Sequence, residues 1–579
     1  MDMDNTSLPE KICQTHIVPG NHAASDYFAA LRELLNHRRQ ETTATQMSRW
    51  QEAIDGIYRL LDDEIRNNRR PPVKPVSFGT SGWRGTLGKE VNVQSVRQVT
   101  QAIINIYHQA AAEPELAGAL GVRDLDEARR RGVVLGHDNR FGGPVMAQAA
   151  AALLSGQGFN VHFAGETTTG VISAAVVVTG AAFSINLTPS HNPLEYGGFK
   201  YNAADAGPAA AIITNRITKE AARIIESGAA PKAEPAPELI APLDTLTCWQ
   251  QLVRDNRRRH GLDYDAILAE LARRDDYILA VDCVHGASRV HLNTLLAGIP
   301  TARLLRFRDQ EDPTFNGIAP EPSSENLAFI HQALQERPEP LKLGAIIDPD
   351  GDRIRFTDGT HEFDMNMFGA MSYHYLHEHK GKKGPVAKTV ASSNFANSIA
   401  AGLGEEVFEP PVGFKEFKPV IGKALVLFEE SDGISVIGHT PEKDAYIGML
   451  LALEMMLHRP GGLYPYLEEI RARFGEFFPG RGGVAVSKQG AALQEALAGL
   501  EHYHPGESLP VGGHPRTIKE LITIDGYKMI FEDQSWLMIR PSGTEPKVRF
   551  YVEARTEADK SQLLATARSL LQKIGLLEQ

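Results

Sequence analysis

Residues 181–193 read AAFSINLTPSHNP. An apolar run over 182–187 has the length and character of a buried strand, and it passes without a spacer into a loop bracketed by Pro189 and Pro193. The two prolines fix the path of that loop and keep it out of its neighbours. Upstream the same grammar repeats, with a strand predicted at 133–137, a helix at 143–156, a strand at 159–164 and a helix near 171–179. Short apolar strands alternating with helices predict a parallel or mixed α/β sheet. Such sheets place their ligand loops beyond the carboxyl ends of the strands, which is where Ser190 falls.

Outward from this stretch the pattern restarts twice. A strand at 277–283 and another at 343–348 mark a second α/β unit; a segment at 385–392, a strand at 424–428 and a helix at 444–458 mark a third. The last hundred residues change character, with strands predicted at 527–531, 535–540 and 547–553 before a helix at 557–574, which suits a smaller α+β domain. Residues 24–70 carry Leu31, Leu34, Leu35, Trp50, Ile54, Ile57, Leu60 and Leu61 at helical spacing and predict a helical extension. A Pro- and Ala-rich stretch over 229–242 is expected to be a linker. The expected division is a helical extension at 1–74, α/β domains at 75–240, 241–360 and 361–472, and an α+β domain at 473–579. A chain of 579 residues is too long for one core, in keeping with several domains.

The formal charge of −12 argues against nucleic acid or an anionic membrane as partner, so an anionic ligand must be held locally. No run has the apolar length of a membrane span and residues 1–11 lack the apolar core of a leader; a cytoplasmic location is the expectation. Cys13, Cys248 and Cys283 are far apart and outside any metal-finger spacing, which disfavours a disulfide framework or structural zinc.

Four loops carry candidate chemistry. Ser190 with His191 offers a hydroxyl nucleophile beside a proton carrier. Asp348, Asp350 and Asp352, alternating around Gly351 directly after a predicted strand, offer three hard oxygen ligands suited to Mg²⁺. An EF-hand is disfavoured because the glycine is fourth in the loop and the twelfth position is Gly359. Arg540, Ser542, Gly543, Thr544 and Arg549 combine cations, hydroxyls and a flexible glycine, a composition that suits a phosphate dianion. Glu429 and Ser431 offer acceptors and a donor for sugar hydroxyls. A glycine-rich turn over 78–85 contributes Arg84.

These five segments, in this order, resemble the α-D-phosphohexomutase family over residues 75–560. The resemblance implies four domains around a central cleft. It further implies that Ser190 is phosphorylated, that Mg²⁺ is held by Ser190, Asp348, Asp350 and Asp352, and that glucose 1,6-bisphosphate is the intermediate. Residues 197–202 and the Gly207-Pro208 pair look most like the bacterial phosphoglucomutase branch, which makes glucose 1-phosphate and glucose 6-phosphate the expected substrates. Three aspartates, a phosphoserine and Mg²⁺ leave a deficit of about three positive charges, which Arg84, Lys200 and Arg353 can supply. His191 and Lys200 are candidate proton carriers; Lys415 and Lys443 are expected at the sugar. The competing readings are a phosphomannomutase or phosphopentomutase of the same family, and a catalytically inactive sugar-phosphate-binding regulator. The sequence leaves homo-oligomer formation open. Thr167–Gly170 departs from the family's Thr-Pro-Thr-Pro segment, and the first 70 residues have no family counterpart.

Overall fold

The computed structural model describes residues 7–79, 81–542 and 547–577. Its first sheet runs Trp83–Thr86, Tyr196–Asn202, Phe183–Leu187, Val133–His137, Val161–Glu166, Ile240–Pro242 in spatial order. The strands at 133–137, 161–166 and 183–187 are parallel neighbours, and the strand at 196–202 returns antiparallel beside 183–187. The central strands Val133–His137 and Phe183–Leu187 are buried along their whole length, as expected of strands covered on both faces.

The second sheet orders Glu362–Phe363, Ile354–Thr357, Leu341–Ile347, Tyr277–Asp282, Leu304–Phe307, and the third Val407–Phe408, Val386–Lys388, Val426–Glu429, Gly433–Val436. Both have a parallel core and one antiparallel return. The fourth sheet is wholly antiparallel, Phe478–Ala485 to Ser508–Val511, and Glu557–Lys573 packs on it. The chain is therefore three mixed α/β units followed by a smaller α+β unit.

Two expectations need correction. The stretch over 229–242 is not simply a linker: Ile240–Pro242 pairs in parallel with Val161–Phe163 and closes an edge of the first sheet. An edge position tolerates Pro242 because its missing N–H is not needed by a neighbour. The strand expected at 159–164 runs instead over Val161–Glu166, because the preceding helix finishes through Gly158, at φ 83°, with Phe159 N donating back to Leu154 O.

Among the described residues the N-terminal extension forms three α-helices, α1 (Leu8–His16), α2 (Tyr27–Gln40) and α3 (Ala44–Asn67), with a short 3-10 turn at His22–Ala24. The sequence predicts α2 and α3 but not α1, whose start is set by a reciprocal cap between Ser7 and Glu10. Leu31, Leu34, Leu35, Ile54, Ile57 and Leu61 face one cluster shared with the first sheet's helices. The extension is thus part of the first unit's core.

Candidate active site

The strand Phe183–Leu187 delivers Ser190 on a backbone bent into the left-handed region, at φ 57°. For a residue with a side chain this costs roughly 1–2 kcal/mol, so the loop must be held. Ser190 N donates to Thr188 Oγ1 at 2.9 Å, and Thr188 Oγ1 donates to Asp138 Oδ2 at 2.6 Å. From above, Arg140 donates to Ser190 O at 2.8 Å, to Pro193 O at 2.6 Å and to Asn192 O. Both anchors follow the neighbouring strand Val133–His137. Burial pushes the Asp138 carboxyl up to about 6, against the opposing pull of Arg140 and Thr188, and pushes the Arg140 guanidinium down to about 10.

Ser190 Oγ donates to Asp348 Oδ2 at 2.8 Å and lies 3.3 Å from His191 Nδ1. Serine and aspartate come from different sheets, so this contact joins the first two units. Asp348, Asp350 and Asp352 are buried and present ligand oxygens within 4.8 Å of one another. Their turn depends on Gly351, at φ 65°, where a Cβ would stand 2.6 Å from Thr168 Cγ2. Asp348 Oδ1 accepts from the backbone N–H groups of Asp352 and Arg353, both at 3.0 Å. Burial and the two neighbouring carboxylates push the Asp348 carboxyl well up. Burial also pushes Asp352 up, but Lys200, Lys443 and Arg353 outweigh it and hold that carboxyl well below its ordinary range.

Three buried carboxylates this close demand cations. Lys200 Nζ lies 2.5 Å from Asp350 Oδ2 and 2.7 Å from Asp352 Oδ2; Lys443 lies 3.3 Å from Asp352, and Arg353 Nε 3.7 Å from its other oxygen. Thr169 Oγ1 donates to Asp350 Oδ2 at 2.7 Å. Asp350 Oδ1 and Asp352 Oδ1 are nevertheless buried without a hydrogen-bond partner. Unpaired carboxylate oxygens in such a site fit a hard divalent cation such as Mg²⁺.

Beside this centre opens a cavity lined by Arg84, His191, Arg353, Glu429, Ser431 and Lys443 together with Arg540, Ser542 and Arg549. Glu429, at the end of the third sheet's strand, lies 3.7 Å from Lys443, and burial raises its carboxyl against that lysine's pull. Arg540 Nε is 2.9 Å from Asp525 Oδ2, which also accepts from Val412 N, so the fourth unit's loop is tied to the third. His191 is held well below its usual range, first by burial and then by Arg353 and Arg84.

Among the described residues expected to bind substrate, Lys415 does not line the cavity: Gly413 and Phe414 of its loop do, while its ammonium sits 3.9 Å from Glu416; Ser190, Lys200 and the three aspartates form the adjoining centre rather than the lining. Gly543 and Thr544 lie outside the described residues. Sequence reasoning missed Asp138, Arg140 and Thr169, and also Tyr551, which lines the cavity. For Asp138 and Arg140 a signal existed, since they follow a predicted strand as the four chosen loops do.

Comparison with known proteins adds four matches in order. The phosphoglucomutase/phosphomannomutase alpha/beta/alpha domains I, II and III match residues 75–227, 263–361 and 364–474, and the C-terminal domain matches 484–569. A phosphoglucomutase of Komagataeibacter xylinus is 25% identical, covering 88% of this chain and 93% of that one. A phosphopentomutase of Thermococcus kodakarensis is also 25% identical, covering 86% and 98%. The crystal structure of parafusin, a phosphoglucomutase of Paramecium, in its open form superposes with a TM-score of 0.66 at 19% identity over 88% of this chain and 96% of that one, a likeness of fold.

Proposed function

This chain belongs to the α-D-phosphohexomutase family, and from that premise we propose that it interconverts α-D-glucose 1-phosphate and glucose 6-phosphate with Ser190 as phosphoryl carrier. The observation that carries the reading is the Ser190 hydroxyl 2.8 Å from Asp348, beside a cavity that ends in a second cationic loop. One phosphate reacts at Ser190 while Arg540, Ser542 and Arg549 hold the other.

In the first half-reaction the bond from Ser190 Oγ to phosphorus breaks as a bond forms from phosphorus to the sugar's 6-hydroxyl oxygen, giving glucose 1,6-bisphosphate. The hydroxyl's proton is carried by a neighbouring group to Ser190 Oγ, which leaves as the serine hydroxyl. His191 Nδ1, 3.3 Å from Ser190 Oγ, is the better placed of the two candidates, because Lys200 is spent on Asp350 and Asp352. The bisphosphate turns end for end, and its 1-phosphoryl group returns to Ser190: the bond from phosphorus to O1 breaks as Ser190 Oγ bonds phosphorus, and the seryl proton passes to O1, leaving glucose 6-phosphate. Asp348, Asp350 and Asp352 with Ser190 would hold Mg²⁺, which when bound supplies positive charge to the transferring oxygens. Arg84 and Arg353 line the same cavity and add to that charge. Glu429 and Ser431 grip sugar hydroxyls shared by the two orientations.

Intact-mass measurement tests the carrier: the purified protein gains one phosphoryl group from glucose 1,6-bisphosphate, and Ser190→Ala gains none. Rates on glucose, mannose and ribose 1-phosphates test the sugar, and a higher kcat/KM on mannose or ribose would replace glucose in this reading. An enzyme in which Ser190→Ala retains mutase activity would overturn the mechanism.

A further inference from the structure

Residues 8–67 lie outside all four matched segments, yet they pack into the core of the unit that carries Ser190. The buried cluster that α2 and α3 share with the first sheet also contains Phe315, which belongs to a loop of the second unit. Phe315, Asn316 and Gly317 follow one another at φ 51°, 49° and 71°. Successive left-handed residues, two of them bearing side chains, persist only where their surroundings over-determine them.

Part of that determination is local, from Asp312 Oδ2, which accepts from Asn316 N at 3.1 Å. The rest comes from α2. Arg38 Nη2 donates to Asn316 Oδ1 at 3.2 Å, and a Cβ added to Gly317 would stand 3.3 Å from the Arg39 guanidinium and 3.6 Å from Leu35.

This turn sets the Phe315 ring, whose centroid lies 4.5 Å from the guanidinium carbon of Arg140. Arg140 in turn donates to the carbonyls of Ser190, Asn192 and Pro193. The aromatic face shields the planar cation from water and fixes the plane in which its N–H groups point. The extension also seats the backbone on either side of that arginine's base. Tyr58 of α3 packs against Phe141 with the rings tilted at 47° and centroids 4.5 Å apart, and Ile65 occupies the space beside Gly142. Beyond the loop, Arg32 of α2 pairs with Glu195 at 3.2 Å.

We infer that α2 and α3 form a positioning element for phosphoryl transfer, acting through Phe315 on Arg140 and so on the Ser190 loop. The inference rests on Ser190 being the phosphoryl carrier. Phe315 is a positioning residue: the groups it touches are Arg140 and the buried cluster, not the cavity. Since the second phosphate is held by Arg540, Ser542 and Arg549 on another unit, disturbing Phe315 moves the nucleophile without moving the binding site.

The test is a kcat-against-KM split on the full chain. Phe315→Ala should lower kcat roughly 10- to 100-fold, the scale of a small misplacement of the reacting group, with KM for the sugar phosphate within about threefold. Single-turnover transfer from ³²P-labelled Ser190 should slow by the same factor. Phe315→Tyr keeps the aromatic face and should restore kcat; Phe315→Leu fills much of the space without that face and should not. Should Phe315→Ala fail to fold, Arg38→Ala at the half-exposed edge gives the same split in milder form. A folded Phe315→Ala or Phe315→Leu protein with wild-type kcat, or one whose KM rises while kcat holds, overturns the inference. A wild-type protein that takes no phosphoryl group on Ser190 overturns instead the reading on which it rests, so the two failures are distinguishable.

Discussion

Lys528 of the fourth sheet reaches Glu409 of the third unit, Nζ to Oε1 at 3.1 Å, and Lys388 holds the other carboxylate oxygen at 3.0 Å. Both lysines are buried, and Lys528 also donates to Val390 O and lies 4.2 Å from the centre of the Trp536 ring. One carboxylate thus bridges two buried cations at the seam between the units that supply the sugar and phosphate loops. Replacing it leaves both unpaired. Glu409→Gln should destabilise the protein by about 3 kcal/mol, measured by denaturant unfolding at pH 7.

The same triad predicts two pH dependences of one sign in different windows, each adding stability as pH rises. Burial raises the Glu409 carboxyl, but Lys388 and Lys528 overcome it and bring it down to about 2. Its stabilisation is complete above the unfolded value near 4.5 and is lost as pH falls toward 2. Burial and the nearby Lys388 push Lys528 down to about 8. Between about 8 and the unfolded value near 10.5 the unfolded chain binds the extra proton, so this site adds stability as pH rises. Unfolding midpoints of wild type and Lys528→Met should therefore diverge from pH 8 to 10, with wild type gaining on the variant. Parallel curves would show that Lys528 does not titrate there.

Gly198 lies in the strand that returns beside the Ser190 loop, and a Cβ there would overlap the Thr188 carbonyl. Backbone cannot yield as a flexible side chain does. Gly198→Ala should displace Thr188, break its relay from Asp138 to Ser190 N, and lower kcat about 100-fold or cost on the order of 2 kcal/mol in stability. Wild-type kcat and melting temperature in this variant would show that the loop tolerates the displacement.

Metal removal should silence the enzyme. Chelation is expected to reduce kcat by at least about 1,000-fold, with recovery on adding Mg²⁺, since the three aspartates then repel one another and the transferring oxygens lose their counter-charge. Mg²⁺ should also raise the melting temperature of wild type, and less so that of Asp350→Asn. The sequence displays this centre because its three carboxylates stand close together after an apolar strand. The same holds for Ser190 and for the loop over 540–549.

Arg140 is harder to find, for its significance lies in partners that meet it only on folding: Phe315 from the second unit and three carbonyls of the Ser190 loop. Lys415 shows the converse, a residue whose neighbours Gly413 and Phe414 line the cavity while its own side chain lies 3.9 Å from Glu416 and not in the lining. The strand Phe478–Ala485 was illegible for a different reason. Its Pro479, Gly480, Gly482 and Gly483 erase the alternation a strand should show, yet an edge position tolerates them, and Gly482 makes room for the Phe550 ring.

Phosphate binding and phosphoryl transfer should separate by mutation. Ser542→Ala combined with Arg549→Ala removes two groups from the cavity's cationic end, each a charge-assisted contact of the kind that contributes roughly 1.5–3 kcal/mol. KM should rise by at least about 100-fold while glucose 1,6-bisphosphate at high concentration still phosphorylates Ser190. Unchanged KM would remove this loop from the binding site.

Arg355 tests whether the sugar loop is held rather than merely present. Its guanidinium forks onto Asp432, Nε to Oδ1 at 3.1 Å and Nη2 to Oδ2 at 2.6 Å, and its remaining arm reaches Glu362 at 2.7 Å. Asp432 has φ 72° and directly follows Glu429, Glu430 and Ser431, so the fork stabilises a strained turn at the end of the sugar loop. Lysine keeps the charge but cannot fork. Arg355→Lys should therefore raise KM roughly tenfold through a misplaced Glu429 and Ser431, while Ser190 phosphorylation by glucose 1,6-bisphosphate at saturation proceeds within about threefold of wild type. If KM stays unchanged, the loop keeps its shape without the bidentate contact; if the phosphorylation rate falls in step with KM, Arg355 supports the first unit as well as the third.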